Sequence, residues 1–227
     1  SAASDVYKRQ SLQNTVDEIK FDGADSAQKG KVRESFILGD IRAIVTTDRV
    51  SAFDFILGTI PYKGRVLNQM AAWWFRELNS IGIPHHLIEV PHPHISVVRN
   101  VTPLPIEIIV RGYLTGSTKT SSWYAYQHLD RMICGLEMSK WLKKNEPFPE
   151  YLITPTTKPK AGHDIPITRE AIIAQGLVSE TIYAQAEQYA LAMFAHGQRK
   201  AAENGLILVD TKYEMGLTSE GKLIVID

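Results

Sequence analysis

Three ionisable residues alternate along one short segment of the chain. Residues 206–217 have the sequence LILVDTKYEMGL, with Asp210, Lys212 and Glu214 at every second position. Because residues two apart in a β-strand project from the same face, a strand here places two carboxylates and one ammonium group side by side. Such a face is either the solvated edge of a sheet or a binding site for a charged ligand.

The next apolar segment favours a binding site. Residues 223–227, LIVID, follow the turn sequence TSEGK, so a hairpin would bring Asp227 beside Glu214. Two converging carboxylates are hard oxygen ligands that suit a magnesium ion carried by a nucleotide, and Lys212 is then placed to neutralise phosphate oxygens. The sequence therefore predicts a metal site at Glu214 and Asp227.

A glycine and two cations precede the first predicted strand. QKGKVRESF contains Gly30, Lys31 and Arg33, and the segment that follows is again β-like. This arrangement is more typical of the glycine-rich lid that covers ATP in kinases than of a phosphate loop that opens a helix. A plain basic hairpin is the alternative.

A turn with several polar side chains follows the second predicted strand. TTDRVSAFD contains Asp48, Ser51 and Asp54, which either cap turns or bind a substrate. Both interpretations are open from the residue types alone.

Two segments in the second half of the chain suit an anionic substrate. In VRGYLTGS, Arg111 leaves an apolar strand and Ser117 lies at the expected start of a helix, where backbone amides and a guanidinium fork can hold a phosphate. A buried structural arginine is the alternative. TKPKAGHD places Lys158, His163 and Asp164 in a long loop, which suits either solvated charges or a loop that closes on substrate.

Composition limits the class of protein. The 227 residues are 44% hydrophobic, enough for a core, and 25 basic residues balance 25 acidic ones. A net charge of zero gives no general attraction to nucleic acid or to an anionic membrane, so neither is expected as a partner. Cys134 is the only cysteine, which excludes an internal disulfide, and no apolar run is long enough to span a bilayer. A cytoplasmic location is expected.

Periodicity predicts an α+β protein with an antiparallel meander in its first half and a mixed second half around a central cleft. Residues 137–168 hold five prolines and little periodicity, so we predict a long functional loop there. The predicted domains are 1–106 and 107–227. The predicted strands are 31–38, 41–47, 51–57, 85–90, 95–100, 106–114, 206–217 and 223–227, and the predicted helices are 64–82, one that begins near 117, and 180–204.

These segments together resemble the phosphoribosylaminoimidazole-succinocarboxamide synthase (SAICAR synthetase) family. The resemblance runs from about Gly30 to Asp227 and is most specific in LPIEIIVRGYLTGS, residues 104–117, and in LILVDTKYEMGL. The family usually has Phe at the position of Met215, an exchange between apolar residues that leaves the charged trio intact. GKVRESF, TTDRVSAFD and TPTTKPKAGHD lie in the expected order.

The resemblance implies a fold whose nucleotide half is distantly similar to kinases. It also implies an ATP-dependent ligase of purine biosynthesis that joins L-aspartate to carboxyaminoimidazole ribonucleotide through an acyl phosphate. ATP and Mg²⁺ are the implied cofactors, and the substrates are the implied partners. The family's chain continues past the last strand into a Ser-Arg-Phe-Trp segment, so the resemblance predicts that Asp227 is not the end of the whole protein.

Site residues follow from the same resemblance. For catalysis it implies Asp210, Lys212 and Glu214, with Asp210 orienting Lys212 or lying on the ribose side, and for the metal Glu214 and Asp227. For ATP it implies Gly30, Lys31, Arg33, Glu107 and Lys212. For the substrates it implies Asp48, Ser51, Asp54, Arg111, Ser117, Lys158, His163 and Asp164.

Two other functions are weighed against this one. A kinase-like phosphotransferase would share the lid and the carboxylate pair, but the sequence has no HRD-type catalytic segment. A nucleotide-binding regulator without catalysis would tolerate the loss of Lys212 or Glu214, and both are present.

Overall fold

A computed structural model of the chain describes residues 15–52, 55–129, 131–158 and 165–227. The chain divides into two compact units, one up to Val101 and one from Thr102 onward, where the sequence predicted a boundary at 106/107. No helix within the described ranges has the length and apolar character needed to cross a membrane.

Unit 1 consists of the elements β1 (Ser26–Lys29), β2 (Arg33–Leu38), β3 (Ile41–Thr46), β4 (Arg49–Ala52), β5 (Phe55–Thr59), α1 (Lys63–Ser80), β6 (Leu87–His92) and β7 (Ile95–Arg99). Five of these strands form an antiparallel sheet in the order β1-β2-β3-β7-β6. The antiparallel pairing of β2 with β3 and the helix α1 are as predicted. The prediction that residues 51–57 form the next strand of the meander is wrong. β4 and β5 form a separate hairpin, and the strand that pairs with β3 is β7. Apolar composition favours a strand but does not choose its partner.

A buried ion pair holds the turn between β1 and β2. The Arg49 side chain is 2% exposed, and its Nη1 lies 2.8 Å from Glu34 Oε1. The same guanidinium donates to the backbone oxygens of Lys31 at 3.0 Å and Gly30 at 3.1 Å. Buried charges persist in proteins when they are paired and hydrogen-bonded, so this arginine fixes the glycine turn from beneath.

Burial of His86 predicts that stability depends on pH. The residue is 6% exposed, and its ring centroid lies 4.9 Å from that of Phe75. Burial, followed by repulsion from His85, lowers the pKa of His86 from its ordinary value of 6.5 to about 3. The unfolded chain therefore binds a proton that the folded chain excludes. The stability contributed by neutral His86 is complete above about pH 6.5 and is lost as the pH falls toward 3.

We expect the free energy of unfolding to fall by about 2 kcal/mol, through this histidine alone, when the pH is lowered from about 7 to about 5. His86→Phe keeps an aromatic ring beside Phe75 and should remove that share of the pH dependence in urea unfolding. His128→Gln, at an exposed position, is the matched control and should leave the pH dependence unchanged. The same dependence in wild type and His86→Phe would contradict the prediction.

Unit 2 is organised around one central strand, β9. Its elements are β8 (Thr102–Pro103), β9 (Ile106–Tyr113), α2 (Ser122–His128), β10 (Met132–Ile133), β11 (Leu136–Glu137), β12 (Pro147–Ile153), β13 (Thr156–Thr157), β14 (Ile165–Pro166), α3 (Arg169–Ala174), α4 (Glu180–Ala202), β15 (Asp210–Tyr213), β16 (Met215–Leu217) and β17 (Leu223–Val225). β12 and β13 pair antiparallel with β9, as does β15. β16 pairs with both β17 and β8.

The two faces of β9 have different roles. Ile106, Ile108 and Val110 are at most 2% exposed and belong to the core. Helix α4 packs so closely at Gly112 that a Cβ there would lie 2.8 Å from Gln198 Nε2 and 3.2 Å from the ring of Phe194. Because successive side chains alternate, the opposite face presents Glu107, Ile109 and Arg111.

The predicted loop at 137–168 is wrong in its middle. Residues 147–153 form β12, with Leu152 opposite Arg111 and Ile153 opposite Val110. The prolines led to the prediction of a loop, because a proline has no N–H to donate to a neighbouring strand. β12 nevertheless forms at the edge of its sheet, and its register with β9 shifts between Pro147 and Leu152. Edges and irregular registers are where a strand tolerates proline.

Candidate active site

The charged segment predicted from sequence lies beside β9. Asp210 pairs with Arg111 and Lys212 with Ile109, so their side chains share the β9 face that carries Glu107 and Arg111. The strand is shorter than predicted: it begins at Asp210, and Glu214 falls between β15 and β16. Leu208 and Val209 nevertheless anchor the segment, since their backbone oxygens accept hydrogen bonds from Gln198 and Gly112.

Lys212 is held between two carboxylates. Its Nζ lies 2.6 Å from Glu107 Oε1 and 3.2 Å from Glu214 Oε1. Partial burial acts to lower the pKa of Lys212, but the hydrogen bond to Glu107 and the charge of Glu214 outweigh it and raise that pKa. The ammonium group is therefore kept charged at a defined position on the strand face.

Glu107 is buried beneath Lys212. It is 3% exposed, its Oε1 accepts from Lys212 and its Oε2 accepts from Thr156 Oγ1 at 3.3 Å. The sequence predicted that Glu107 contacts ATP. In this environment its carboxylate positions Lys212, and a direct contact with a nucleotide stays a prediction.

Glu214 receives two cations. Its Oε2 is paired with Lys158 and its Oε1 with Lys212, while only 14% of its side chain is exposed. Burial acts to raise the pKa of Glu214, but hydrogen bonds and charge from Lys158 and Lys212 outweigh it and hold the pKa below its ordinary value. Sequence spacing placed Lys158 in a distant loop, and the tertiary fold brings it to the carboxylate of Glu214.

The predicted hairpin brings Asp227 next to Glu214 along the backbone. Met215 is opposite Val225, and the amide of Glu214 donates to the carbonyl of Asp227 at 2.9 Å. Among the described residues there is no group of three or more His, Cys, Asp or Glu side chains able to hold a metal by themselves. Two carboxylate residues whose backbones are hydrogen-bonded to each other fit Mg²⁺, which commonly takes one or two protein carboxylates and completes its shell with water and phosphate.

Arg111 is fixed by three hydrogen bonds. Its Nε donates to Thr154 Oγ1 at 2.9 Å, its Nη1 to Asp210 Oδ2 at 3.3 Å and its Nη2 to the carbonyl of Thr120 at 3.2 Å. Burial lowers the pKa of Arg111 from its ordinary value, and the charge of Asp210 partly opposes this effect. Its pKa is far enough above neutrality that the group remains a cation at physiological pH.

A cavity of about 220 Å³ opens on this face. Arg111 and Lys212 contribute positive charge from the sheet, and Cys134, whose thiol pKa is raised by burial, also lines the cavity. Hydroxyl groups from two segments add hydrogen-bonding capacity. The remaining lining residues with hydroxyl or ammonium groups are Lys119, Thr120, Ser121, Ser122, Thr154 and Thr156. Cationic and hydroxyl groups together are the lining expected for a phosphorylated ligand.

The helix start predicted at Ser117 is wrong. Helix α2 begins at Ser122, and its N-cap is Ser121, whose hydroxyl accepts from the amide of Tyr124 at 3.3 Å. Residues 117–121 instead form a turn after Gly116, which adopts φ +102°. Lys119, Thr120 and Ser121 line the cavity, whereas Ser117 is not among its lining residues. The run of Ser and Thr residues correctly indicated that a helix begins nearby, but any of several residues in the run could have been its N-cap.

Asp48 has a structural position in unit 1. It is fully buried, its Oδ2 accepts from the amide of Val16 at 2.9 Å and its Oδ1 from the amide of Gly64 at 2.8 Å. Because Gly64 lies in the first turn of α1, this carboxylate satisfies an otherwise unpaired helix amide. In this position Asp48 caps the helix, and its contact with a substrate stays a prediction.

The other predicted residues of unit 1 and of the substrate loop have varied positions. Ser51 is half-buried in β4, Lys31 is exposed in the turn before β2, and Arg33 is exposed at the first position of β2. Contacts of Gly30, Lys31 and Arg33 with ATP, and of Ser51 with substrate, stay predictions. Asp54, His163 and Asp164 lie outside the described residues.

Comparison with known proteins decides the family. The sequence model of the SAICAR synthetase family matches residues 26–227. The chain belongs to the SAICAR synthetase family. It is 46% identical over 199 residues to the phosphoribosylaminoimidazole-succinocarboxamide synthase of Legionella pneumophila strain Paris, covering 88% of this chain and 63% of that protein. It is 41% identical to the chloroplastic enzyme of the same name from Vigna aconitifolia, covering 100% of this chain and 64% of that protein.

A solved structure supports the same SAICAR synthetase fold. The SAICAR synthase of Saccharomyces cerevisiae, complexed with SAICAR, matches with a TM-score of 0.79 and 28% identity. The match covers 93% of this chain and 75% of the yeast chain. The α+β SAICAR synthetase fold predicted from sequence is confirmed. This chain spans less than two thirds of the length of the two curated relatives.

Proposed function

We propose that the protein is an ATP-dependent ligase of purine biosynthesis. It joins L-aspartate to carboxyaminoimidazole ribonucleotide and releases the succinocarboxamide ribonucleotide (SAICAR), ADP and phosphate. The observation that carries this proposal is the charged face of unit 2, where Arg111, Lys212 and Glu214 lie along one side of the β9–β15 pair. The names of the relatives, and the SAICAR bound to the yeast enzyme, support the same reaction.

The reaction needs an activated carboxylate, because a free carboxylate is a poor acyl donor. A carboxylate oxygen of the ribonucleotide attacks the terminal phosphorus of ATP, the bond from that phosphorus to the bridging oxygen breaks, and ADP leaves. The aspartate amine then attacks the carbonyl carbon, inorganic phosphate departs with the electron pair of the broken C–O bond, and the new amide nitrogen loses a proton. The protein's main task in such phosphoryl transfer is positioning and charge stabilisation.

Arg111 is the proposed contact for the phosphate of the ribonucleotide. A guanidinium has five N–H donors, and three of them are engaged by Thr154, Asp210 and Thr120. The group lines the cavity together with Lys119 and Ser121, which supply a second cation and a hydroxyl. Pre-positioned cationic donors of this kind bind a phosphate with defined orientation.

Lys212 is the proposed contact for the transferred phosphoryl group. Glu107 holds its ammonium from below, so little side-chain entropy remains to be lost when an anion binds. A second acidic neighbour, Glu214, shares the same lysine and keeps it protonated. Lys212 can thus neutralise charge on phosphate oxygens without first changing its protonation state.

Glu214 and Asp227 are the residues that would hold Mg²⁺. A magnesium ion bound with the nucleotide supplies charge neutralisation at the phosphate oxygens. Lys158, paired with Glu214, supplies positive charge to that carboxylate. The predicted cytoplasmic location stays a prediction, and the relative from Vigna aconitifolia is named as chloroplastic.

Phosphate release from ATP tests this function in the intact protein. Release should require aspartate and the ribonucleotide together, and mass spectrometry should detect SAICAR. A kinase-like phosphotransferase would release ADP without aspartate, and a regulator would bind nucleotide without turnover. Either of those outcomes would overturn the proposed ligase.

A further inference from the structure

Thr154 makes the shortest of the three hydrogen bonds to the Arg111 side chain. Its Oγ1 accepts from Nε at 2.9 Å, whereas the contacts to Asp210 and Thr120 measure 3.3 and 3.2 Å. Thr154 is 2% exposed, while 49% of the Asp210 side chain is exposed. A buried hydrogen bond to a charged group contributes more than an exposed ion pair, so Thr154 is the main restraint on this guanidinium.

The backbone holds the Thr154 hydroxyl at a constant distance from β9. The amide of Thr154 donates to the carbonyl of Ile109 at 2.8 Å. The residue lies between β12 and β13, and both of these strands pair with β9. A β-branched side chain is also restricted at χ1, so few positions are open to the hydroxyl.

We infer that Thr154 is a positioning residue for Arg111. Its hydroxyl oxygen accepts the hydrogen bond from Nε–H of Arg111 and so sets the plane of the guanidinium. The orientation of that plane directs the terminal N–H groups of Arg111 at the cavity that both residues line. The identity of the ligand, the phosphate of the ribonucleotide, rests on the proposed function. The hydrogen bond and its effect on the orientation of Arg111 do not.

Three variants of the intact protein separate positioning from simple packing. Thr154→Val keeps the shape but removes the acceptor, and Thr154→Ser restores it. Thr157→Val is the matched control, because it makes the same exchange in the next strand, where the hydroxyl contacts only the carbonyl of Ile165 at 3.4 Å among the described residues. Thermal melting establishes that each variant is folded.

Two measurements are made on each variant. The first is the exchange rate of the Arg111 Nε–H with water by NMR, assigned with Arg111→Lys. We expect Thr154→Val to speed this exchange about tenfold or more, since the hydrogen bond is lost, and Thr154→Ser to leave it within about twofold. The second is affinity, as KM in the ligation assay and as the calorimetric Kd for carboxyaminoimidazole ribonucleotide.

In the affinity measurements, Thr154→Val should weaken ribonucleotide binding by about ten- to a hundredfold, with the KM for ATP and kcat changed by less than about threefold. Thr154→Ser and Thr157→Val should match wild type. Unchanged ribonucleotide affinity in Thr154→Val, or equal weakening of ATP and ribonucleotide, would overturn the inference. A wild type that binds the ribonucleotide without ligation would refute the proposed function alone, because the calorimetric comparison still tests Thr154.

Discussion

Replacing Glu214 with glutamine is expected to lower kcat by about a hundred- to a thousandfold, the range found when one charge-stabilising group is removed from an active site. The amide keeps the shape of the side chain, but it loses the charge that pairs with Lys158 and Lys212. It also loses the anionic oxygens that would hold Mg²⁺ together with Asp227. Steady-state ligation and the magnesium dependence of ATP binding measure both losses.

The fold should survive this exchange. The hairpin is held at this position by backbone hydrogen bonds, from the amide of Glu214 to the carbonyl of Asp227 and from the amide of Ile226 to the carbonyl of Glu214. Glu220→Gln, at an exposed position in the turn of the same hairpin, is the matched control and should keep wild-type activity. If Glu214→Gln and Asp227→Asn both retain near-normal magnesium dependence and turnover, the metal site lies on other residues.

The second large effect is expected from Arg111→Ala. Loss of the guanidinium removes one of the cations that line the cavity, the one proposed to contact the phosphate, and the binding free energy for the ribonucleotide should weaken by about 2 to 5 kcal/mol. ATP affinity should change by less than about 0.5 kcal/mol, the usual limit for substitutions away from a contact. Isothermal titration with each ligand separately gives both values.

A matched arginine variant tests whether the effect is specific. Arg169 also belongs to unit 2 and lies within 4 Å of carboxylates, 3.6 Å from Glu180 and 3.8 Å from Glu187, but it does not line the cavity. Arg169→Ala should leave both affinities unchanged. Equal loss of ATP and ribonucleotide binding in Arg111→Ala would show that Arg111 does not serve the ribonucleotide selectively.

Periodic segments, and the pairing of strands joined by a short turn, could be predicted from the sequence, but the pairing of strands far apart in the chain could not. The apolar spacing of α1 and α4 and the alternation in β9 are local properties, and they predicted elements close to those observed. The pairing of β7 with β3, and the strand β12 with its two prolines, depend on contacts between distant parts of the chain. The local amino-acid composition does not indicate which distant segment a strand will pair with.

Residue type alone also did not show which acidic side chains are buried and which are exposed. Asp48 and Asp210 both follow apolar segments. Asp48 is fully buried and accepts hydrogen bonds from the backbone amides of Val16 and Gly64, whereas Asp210 is exposed and lies beside Arg111. Glu107 is buried under Lys212, which its residue type and position in the sequence did not indicate, and its contact with ATP stays a prediction. The burial of a side chain depends on which other parts of the chain pack against it, and these are known only from the folded structure.

The sequence by itself determined that Asp210 and Lys212 share one strand face, because the side-chain period of a β-strand is two, and that Glu214 follows two residues later. It also determined, through its motifs, membership of the SAICAR synthetase family. Only the tertiary structure decided that Lys158 reaches Glu214, that Thr154 and Thr120 hold Arg111, and that Ser121 rather than Ser117 caps α2. Those contacts join residues whose distances are set by strand pairing and turn geometry, and no local rule of spacing can supply them.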